Sequence, residues 1–303
     1  MENQKENKIK IFCAKYWPDY ELLDTGEGEK LERFGKYVFV RPYEDAFWPK
    51  ANEFKERWVK ADGKFWSSKV GAKAGWKFEK KINDKWEMEY KGIKFLASPT
   101  PFRHLGFFPE QASHWDFIEK KISEADSRKV KFLNLFGYTG VASLFALRGG
   151  AEVTHVDASK QSLNWAKENE KLNSDQFSKG QSLRIIEDDV LKFLEREEKR
   201  GNRYDAVIMD PPKFGRGPKG EIWKIEEMLP KLLSQVQKVL SDKPLFIILT
   251  SYAVDSSSLS LGHALGEMTK DFYGTVEAGE LCILEKSNNR VVSLANTAVW
   301  TAQ

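Results

Sequence analysis

Phe132-Leu-Asn-Leu-Phe-Gly-Tyr-Thr-Gly140 decides how the rest of this chain is read. An apolar run breaks into a glycine-bearing turn, and the helix-forming segment Val141-Ala-Ser-Leu-Phe-Ala-Leu147 follows at once. A second strand pattern, Glu152-Val-Thr-His-Val-Asp157, ends in an acid 20 positions beyond Gly137. Together these form the pattern of a nucleotide-binding βαβ unit. Glycine lets the backbone approach a ligand, the helix N-terminus carries partial positive charge, and a strand-end carboxylate can take both hydroxyls of a ribose. Hydride-transferring enzymes use the same geometry but favour a tighter G-x-G-x-x-G turn for a pyrophosphate. Here a single Gly137 precedes the bulky Tyr138, which suits a ligand without phosphates. Asp157 can also cap the helix that begins near Ser159, and the two roles are compatible.

Outward from that unit the alternation continues. Strand patterns fall at residues 130–136, 152–157, 182–187, 204–210 and 245–250, and helical patterns at 141–148, 160–172, 190–199, 222–240 and 258–269. Strictly alternating strands and helices predict a parallel sheet covered on both faces. The C-terminal end differs: apolar runs at 280–285 and 291–300 flank a Ser287-Asn-Asn289 turn, which predicts a hairpin and an antiparallel last strand. The first hundred residues read as β structure, with a strand over 35–41 that stops at Pro42. A hairpin of 76–82 with 85–90 about Asn83-Asp84 comes next, then a strand over 93–97 after the Lys91-Gly92 turn. Trp86, Met88 and Tyr90 alternate onto one face. Six of the ten tryptophans (17, 48, 58, 66, 76 and 86) lie here, as expected of a small domain that fills its core with large rings. Ser98-Pro-Thr-Pro101 closes this part, so the expected division is 1–101, a small β-rich, aromatic-rich domain, and 102–303, the α/β domain. A helix is expected over 112–122.

Tyr204-Asp-Ala-Val-Ile-Met-Asp210-Pro-Pro is the second chemical signal. Two prolines donate no hydrogen bonds, so the Asp210 and Pro211 carbonyls and the Asp210 carboxylate are expected to project into the cleft at fixed angles. Acceptors held that way can orient an amino or ring N–H group.

The order of elements resembles the class I S-adenosylmethionine-dependent methyltransferase fold, a Rossmann-like sheet closed by a C-terminal hairpin. Phe136-Gly-Tyr-Thr-Gly140 is similar to its first cofactor motif, Asp157 to the acid after the second strand, and Asp188-Asp189-Val190 to the third motif. Asp210-Pro211-Pro212-Lys213-Phe214 resembles the strand-four motif beside the transferred methyl group. With the β-rich N-terminal part and Gly106-Phe-Phe-Pro-Glu-Gln111, the likeness narrows to the large-subunit ribosomal RNA methyltransferase I/K-like group.

The resemblance implies S-adenosyl-L-methionine as cofactor, with contacts from Gln111, Phe136, Gly137, Tyr138, Thr139, Gly140, Asp157, Ala158, Asp188, Asp189 and Asp210. It implies catalytic roles for Asp210, Pro211, Pro212, Lys213 and Phe214. In the family pattern the acid directly before the helix, here Asp189, accepts from the adenine amino group, leaving Asp188 as a surface acid or N-cap. Phe214 can stack on a flipped base. Lys213, which stands where the related amino-methyltransferase motif has its aromatic residue, can instead pair with a phosphate. Gly215-Arg-Gly-Pro-Lys-Gly220 reads either as a flexible basic loop over the site or as plain surface.

Cytosine-methylating relatives carry a nucleophilic cysteine after the fifth strand. Here that stretch is Leu249-Thr-Ser-Tyr-Ala253, and the two cysteines, Cys13 and Cys282, lie elsewhere. Nitrogen methylation of a nucleobase in RNA, ribosomal RNA foremost, is therefore expected over cysteine-dependent carbon-5 methylation. A methyltransferase of a protein or small molecule, and a non-catalytic cofactor- and RNA-binding module, remain the alternatives.

Composition sets the outer bounds. A net charge of +3 advertises no global nucleic-acid field, but residues 50–94 hold 13 Lys/Arg against 7 Asp/Glu, with Trp58, Trp66, Trp76 and Trp86 among them. Basic and aromatic residues interleaved this way suit RNA, or a solvated surface over an aromatic core. No disulfide framework or CxxC pattern is present, and the histidines at 104, 114, 155 and 263 lack metal-ligand spacing, so no metal is expected. The start is polar and no apolar run nears the roughly 18 residues of a membrane span. The expected location is the cytoplasm.

Overall fold

The structure, a computed structural model, describes residues 8–14, 16–66, 74–125, 129–177, 181, 183–252 and 257–303. Strand β1 (Lys10–Cys13) opens it. A five-stranded sheet follows, built from β2 (Tyr20–Gly26), β3 (Glu29–Phe34), β4 (Tyr37–Pro42), β5 (Gly63–Trp66) and β6 (Gly75–Phe78) in that spatial order, with the short helix α1 (Lys55–Val59) between β4 and β5. β7 (Trp86–Tyr90) and β8 (Ile93–Ala97) form a two-stranded ribbon.

From α2 (Ala112–Ser123) onward strands and helices alternate. They run β9 (Lys131–Leu135), α3 (Val141–Arg148), β10 (Glu152–Asp157), α4 (Lys160–Leu172), β11 (Leu183–Glu187), α5 (Val190–Lys199) and β12 (Ala206–Met209). A small hairpin of β13 (Phe214–Arg216) and β14 (Ile222–Lys224) precedes α6 (Ile225–Lys238), β15 (Phe246–Ser251), α7 (Ser258–Met268), β16 (Gly274–Leu284) and β17 (Val291–Ala302). The large sheet has the order β1-β16-β17-β15-β12-β9-β10-β11 and is parallel except at β17, which runs antiparallel to both neighbours. This is the predicted α/β architecture with its closing hairpin and β-rich N-terminal region.

β9 lies between β12 and β10, and the chain leaves it toward opposite edges of the sheet. Such a switch point opens a crevice at the carboxyl ends of the strands. Central strands need apolar residues on both faces. Phe132, Leu133 and Leu135 of β9 and all four residues of β12 accordingly are buried. One face is filled from α5, α6 and α7, the other from α2 and α3.

Two sequence expectations need correction. The hairpin of 76–82 with 85–90 does not form: Trp76 sits in β6 against β5, and β7 pairs with β8 instead. Aromatic packing decides this, because Trp76 lies edge-on to Phe39 and Phe65, each at 5.4 Å, and its indole N–H reaches the Thr100 carbonyl at 2.9 Å. Trp86, Met88 and Tyr90 do share one buried face. The helix expected over 222–240 starts only at Ile225, since residues 222–224 pair with β13. Gly215 and Arg216 of the basic stretch thereby belong to β13, and residues 217–220 lie in the turn of its hairpin. Ser182, Ala253, Lys69, Lys73 and residues 1–7 lie outside the described residues.

β1 adds to the large sheet, parallel to β16, although it precedes the β-rich region. The aromatic core likewise spans both regions. Trp17 meets Tyr90 at 5.0 Å, Phe107 at 5.6 Å and Trp115 of α2 at 5.8 Å, which fixes the segment leading into α2. A buried ion pair does the same from another side. Arg41 donates from Nε and Nη2 to Glu32 at 2.7 and 2.6 Å and from Nη1 to the Arg103 carbonyl at 3.0 Å. Burial works to raise the Glu32 carboxyl, but Arg41 and Lys30 hold it down to about 2.

Candidate functional site

The turn after β9 is held in an uncommon backbone shape. Phe136 (φ 58°), Tyr138 (φ 52°) and Gly140 (φ 84°) all lie in the left-handed region. For two non-glycine residues this stores strain, which surrounding bonds must over-determine. The Tyr138 N–H donates to Asp157 Oδ2 at 2.9 Å, and the Gly137 N–H to the Val156 carbonyl at 3.0 Å. Asp157 also accepts from the Ser159 N–H through Oδ1 at 2.8 Å. Burial pushes its carboxyl up, and the N–H groups of Ser159, Tyr138 and Ala158 oppose that shift.

Gly137 cannot be replaced for a different reason. A Cβ there would meet the His155 ring at 2.3 Å. That ring is buried, bonds through Nδ1 to Ser143 Oγ at 3.0 Å, and is pushed down to about 4 by burial, so it is neutral. Gly137→Ala is expected to destabilise the protein by about 1–3 kcal/mol through overpacking. The check is a lowered urea midpoint with an unchanged slope; an unshifted midpoint would contradict this packing.

A cavity of 450 Å³ opens over the strand ends. Its walls include Phe136, Tyr138, Asp157, Ala158, Asp189, Asp210, Pro211, Pro212 and Lys213. A smaller recess below it is lined by Gln111, Gly137, Thr139 and Gly140, and again by Phe136, Tyr138 and Asp210. Two expected residues are on neither wall. Asp188 is paired with Arg196 of α5 and accepts from the Asp189 N–H at 2.9 Å. Phe214 is 56% exposed on β13. Asp189, rather than Asp188, is the N-cap of α5, accepting from the Lys192 N–H at 3.0 Å.

Asp210 directly follows β12 and is half-buried; desolvation pushes its carboxyl well above the usual range, the charge of Glu110 adds to this, and a hydrogen bond from Gln111 opposes it. The Gln111 amide nitrogen donates to Asp210 Oδ2 and to the Tyr252 hydroxyl oxygen, each at 3.2 Å. Its carbonyl oxygen is buried with no partner, and Gln111 lines the recess under the turn. A buried acceptor without a donor costs free energy unless a ligand supplies one. The Pro212 carbonyl is already engaged, accepting from the Trp223 indole at 2.6 Å.

Several wall residues carried no sequence signal of their own. Arg103, His104, Phe108, Tyr252 and Trp223 line the main cavity, and the buried Glu110 precedes Gln111 in the segment leading into α2. Glu110 is an acid inside Phe107-Phe-Pro-Glu-Gln111, of which the resemblance implies a cofactor contact only for Gln111. His104 is pushed down to about 3 by burial and by Arg41, Arg103 and Lys30, which leaves it neutral. Cys282 is buried in β16, its thiol pushed up to about 12, and Cys13 is on β1; neither lines these cavities. Of the tryptophans in the basic stretch, Trp86 is buried, Trp58 donates to Asp24 at 2.7 Å, and Trp66 is 53% exposed with Lys64 Nζ 4.6 Å above its ring. Among the described residues, no cluster of three or more His, Cys, Asp or Glu side chains could hold a metal ion, and no helix is long and apolar enough to cross a membrane.

The sequence model of the S-adenosylmethionine-dependent methyltransferase family matches residues 75–243. The chain belongs to that family. This methyltransferase is 40% identical to the SAM-dependent methyltransferase from Agrobacterium tumefaciens, whose crystal structure matches it with a TM-score of 0.90 over 97% of this chain and 94% of that one. It is 35% identical over 128 residues to ribosomal RNA large subunit methyltransferase I of Aeromonas salmonicida, covering 42% of this chain and 30% of that protein. With ribosomal RNA large subunit methyltransferase K of Neisseria meningitidis it shares 32% identity over 163 residues, 53% of this chain and 44% of that protein. The match to these curated relatives thus spans less than half of their length.

Proposed function

We propose that the chain transfers a methyl group from S-adenosyl-L-methionine to a nitrogen of a nucleobase in RNA, ribosomal RNA foremost, in the cytoplasm. The observation that carries this reading is that Asp157, the strained turn and Asp210 face one cavity with no thiol in its walls. The residues present fit the cofactor. Asp157 has lone pairs to spare beyond its backbone bonds and would hold both ribose hydroxyls. Asp189 would accept from the adenine amino group beside Ala158, and the partnerless Gln111 oxygen would accept from the ammonium of the methionyl end. Phe136, Gly137, Tyr138, Thr139 and Gly140 would shape the recess around it.

The bound cofactor supplies an electrophilic methyl group on a sulfonium. Because the leaving group is then neutral, alignment of the nucleophile supplies much of the rate. Asp210 would orient the acceptor N–H group, with Pro211 and Pro212 keeping it rigid, and Lys213 and Arg216 would meet phosphates of the strand. The exposed position of Phe214 favours strand contact over base stacking in the cavity. The β-rich residues 1–101, with Trp66 and Lys64 at their surface, would form a further RNA contact.

Tritium transfer from labelled S-adenosylmethionine tests this reading. Incorporation is expected into RNA from a strain deleted for the gene and not into wild-type RNA, whose site is already filled. Labelled protein with unlabelled RNA would refute the substrate class.

A further inference from the structure

The hairpin of β13 and β14 has two unlike faces. In its register Gly215 stands opposite Trp223, and both line the main cavity, whereas Phe214 and Ile222 lie on the alternate face and are exposed. We propose that Trp223 is a positioning residue for methyl transfer: from β14 it fixes the Asp210-Pro211-Pro212 turn against the turn after β9, and so sets the line between the acceptor and the methyl group. The proposal rests on the methyl-transfer reading above.

Trp223 touches both turns at once. Its indole N–H donates to the Pro212 carbonyl at 2.6 Å, two residues beyond Asp210. Its ring lies 4.9 Å from that of Phe136, close to edge-on at 60°. Phe136 begins the strained turn, with φ of 58°. Trp223 is buried, and an indole N–H can only donate, so the direction of its hydrogen bond is fixed. The Asp210 turn needs such a partner. Pro211 and Pro212 carry no N–H, so two successive residues cannot be tied down through their own amides, and a carbonyl is the remaining main-chain handle.

The hairpin is itself anchored, so it can serve as a fixed support. The Ile225 N–H donates to the Lys213 carbonyl at 3.1 Å and closes its base. At the other end the Gly217 N–H donates to the Glu221 carbonyl at 2.8 Å. The Glu221 side chain accepts from the Lys219 N–H at 2.9 Å and pairs with Lys192 of α5. Trp223 and Ile225 both belong to the core that α5, α6 and α7 build on the central strands. A reacting geometry is kept only when the residues behind it are locked by packing and hydrogen bonds. Releasing the Asp210 turn by about 1 Å would cost roughly 10²-fold in rate.

Trp223→Phe keeps an aromatic ring near Phe136 and removes the N–H, whereas benzothienylalanine at position 223 keeps the whole ring shape, and so the fold, and removes the N–H alone. Each is expected to lower the single-turnover rate of methyl transfer to RNA from the deletion strain by about 10–100-fold at saturating cofactor, with S-adenosylhomocysteine affinity within about threefold of wild type. In an Asp210→Ala background either change should lower the rate by no more than about threefold further, since a residue that works through Asp210 then has nothing left to position. A readout independent of turnover is hydrogen exchange. The indole N–H signal of Trp223, identified by its absence in Trp223→Phe, should exchange with deuterium about 10²-fold or more slower than a free indole. A wild-type rate in the isostere, effects that multiply with Asp210→Ala, or indole exchange at the free rate would overturn the assignment. Failure of the underlying reading looks different: wild-type protein would then bind no S-adenosylhomocysteine and methylate no RNA, while the slow indole exchange would remain.

Discussion

Asp157→Ala is expected to weaken S-adenosylhomocysteine binding by about 10²–10³-fold, since each hydrogen bond from a ligand to a charged group is worth about 1.5–3 kcal/mol. Two effects combine. The ribose would lose its carboxylate, and the Tyr138 and Ser159 N–H groups would lose the acceptor that now holds them at 2.9 and 2.8 Å. Tyr138, with φ of 52°, has little reason to keep its shape without that bond. Asp157→Asn separates the two, because an amide oxygen can keep one backbone contact but not the charge. It should fall between wild type and alanine in a calorimetric titration, with circular dichroism reporting native folds for all three. Wild-type affinity in the alanine variant would rule out a ribose role for this acid.

Asp210→Ala should leave S-adenosylhomocysteine affinity within a few-fold and lower kcat on RNA by about 10²–10³-fold, the scale of a lost alignment in the reacting pair. Asp210 is half-buried, held by Gln111 at 3.2 Å and followed by two prolines, so its position is over-determined. Asp210→Asn keeps a carbonyl acceptor at the same place and should retain more activity than alanine. Single-turnover kinetics at saturating cofactor separate the chemical step from binding. An alanine variant that methylates RNA at the wild-type rate would contradict an orienting role.

The α/β part was legible because its signals are local. The helices over 141–148, 160–172 and 190–199 coincide with α3, α4 and α5, each bounded by a glycine turn or a capping side chain. Strand ends that carry Asp157 and Asp210 were legible for the same reason: an apolar run stops at an acid. Long-range pairing was not. Nothing in Lys10-Ile-Phe-Cys13 announces that it lies beside Gly279, where a Cβ would meet the Lys10 carbonyl oxygen and only glycine permits the approach. The β6 and β7 pairings failed similarly, because a turn dipeptide between two strand-like runs carries less weight than the rings Trp76 packs against. Asp188 and Asp189 were told apart by the family pattern alone, which favours Asp189. The fold adds the physical reason: Arg196, two turns along α5, pairs with Asp188 away from the cavity. Glu110 was hidden for a related reason, since a single buried acid has no periodicity.

Isothermal titration of the folded protein with S-adenosylhomocysteine, with NAD as comparator, addresses the pocket built around Asp157 and Gln111 most directly. One site per chain with micromolar or tighter affinity, no heat with NAD, and loss of the signal in Asp157→Ala is the predicted result. Folded protein that releases no heat with S-adenosylhomocysteine, or that binds NAD in its place, would contradict it.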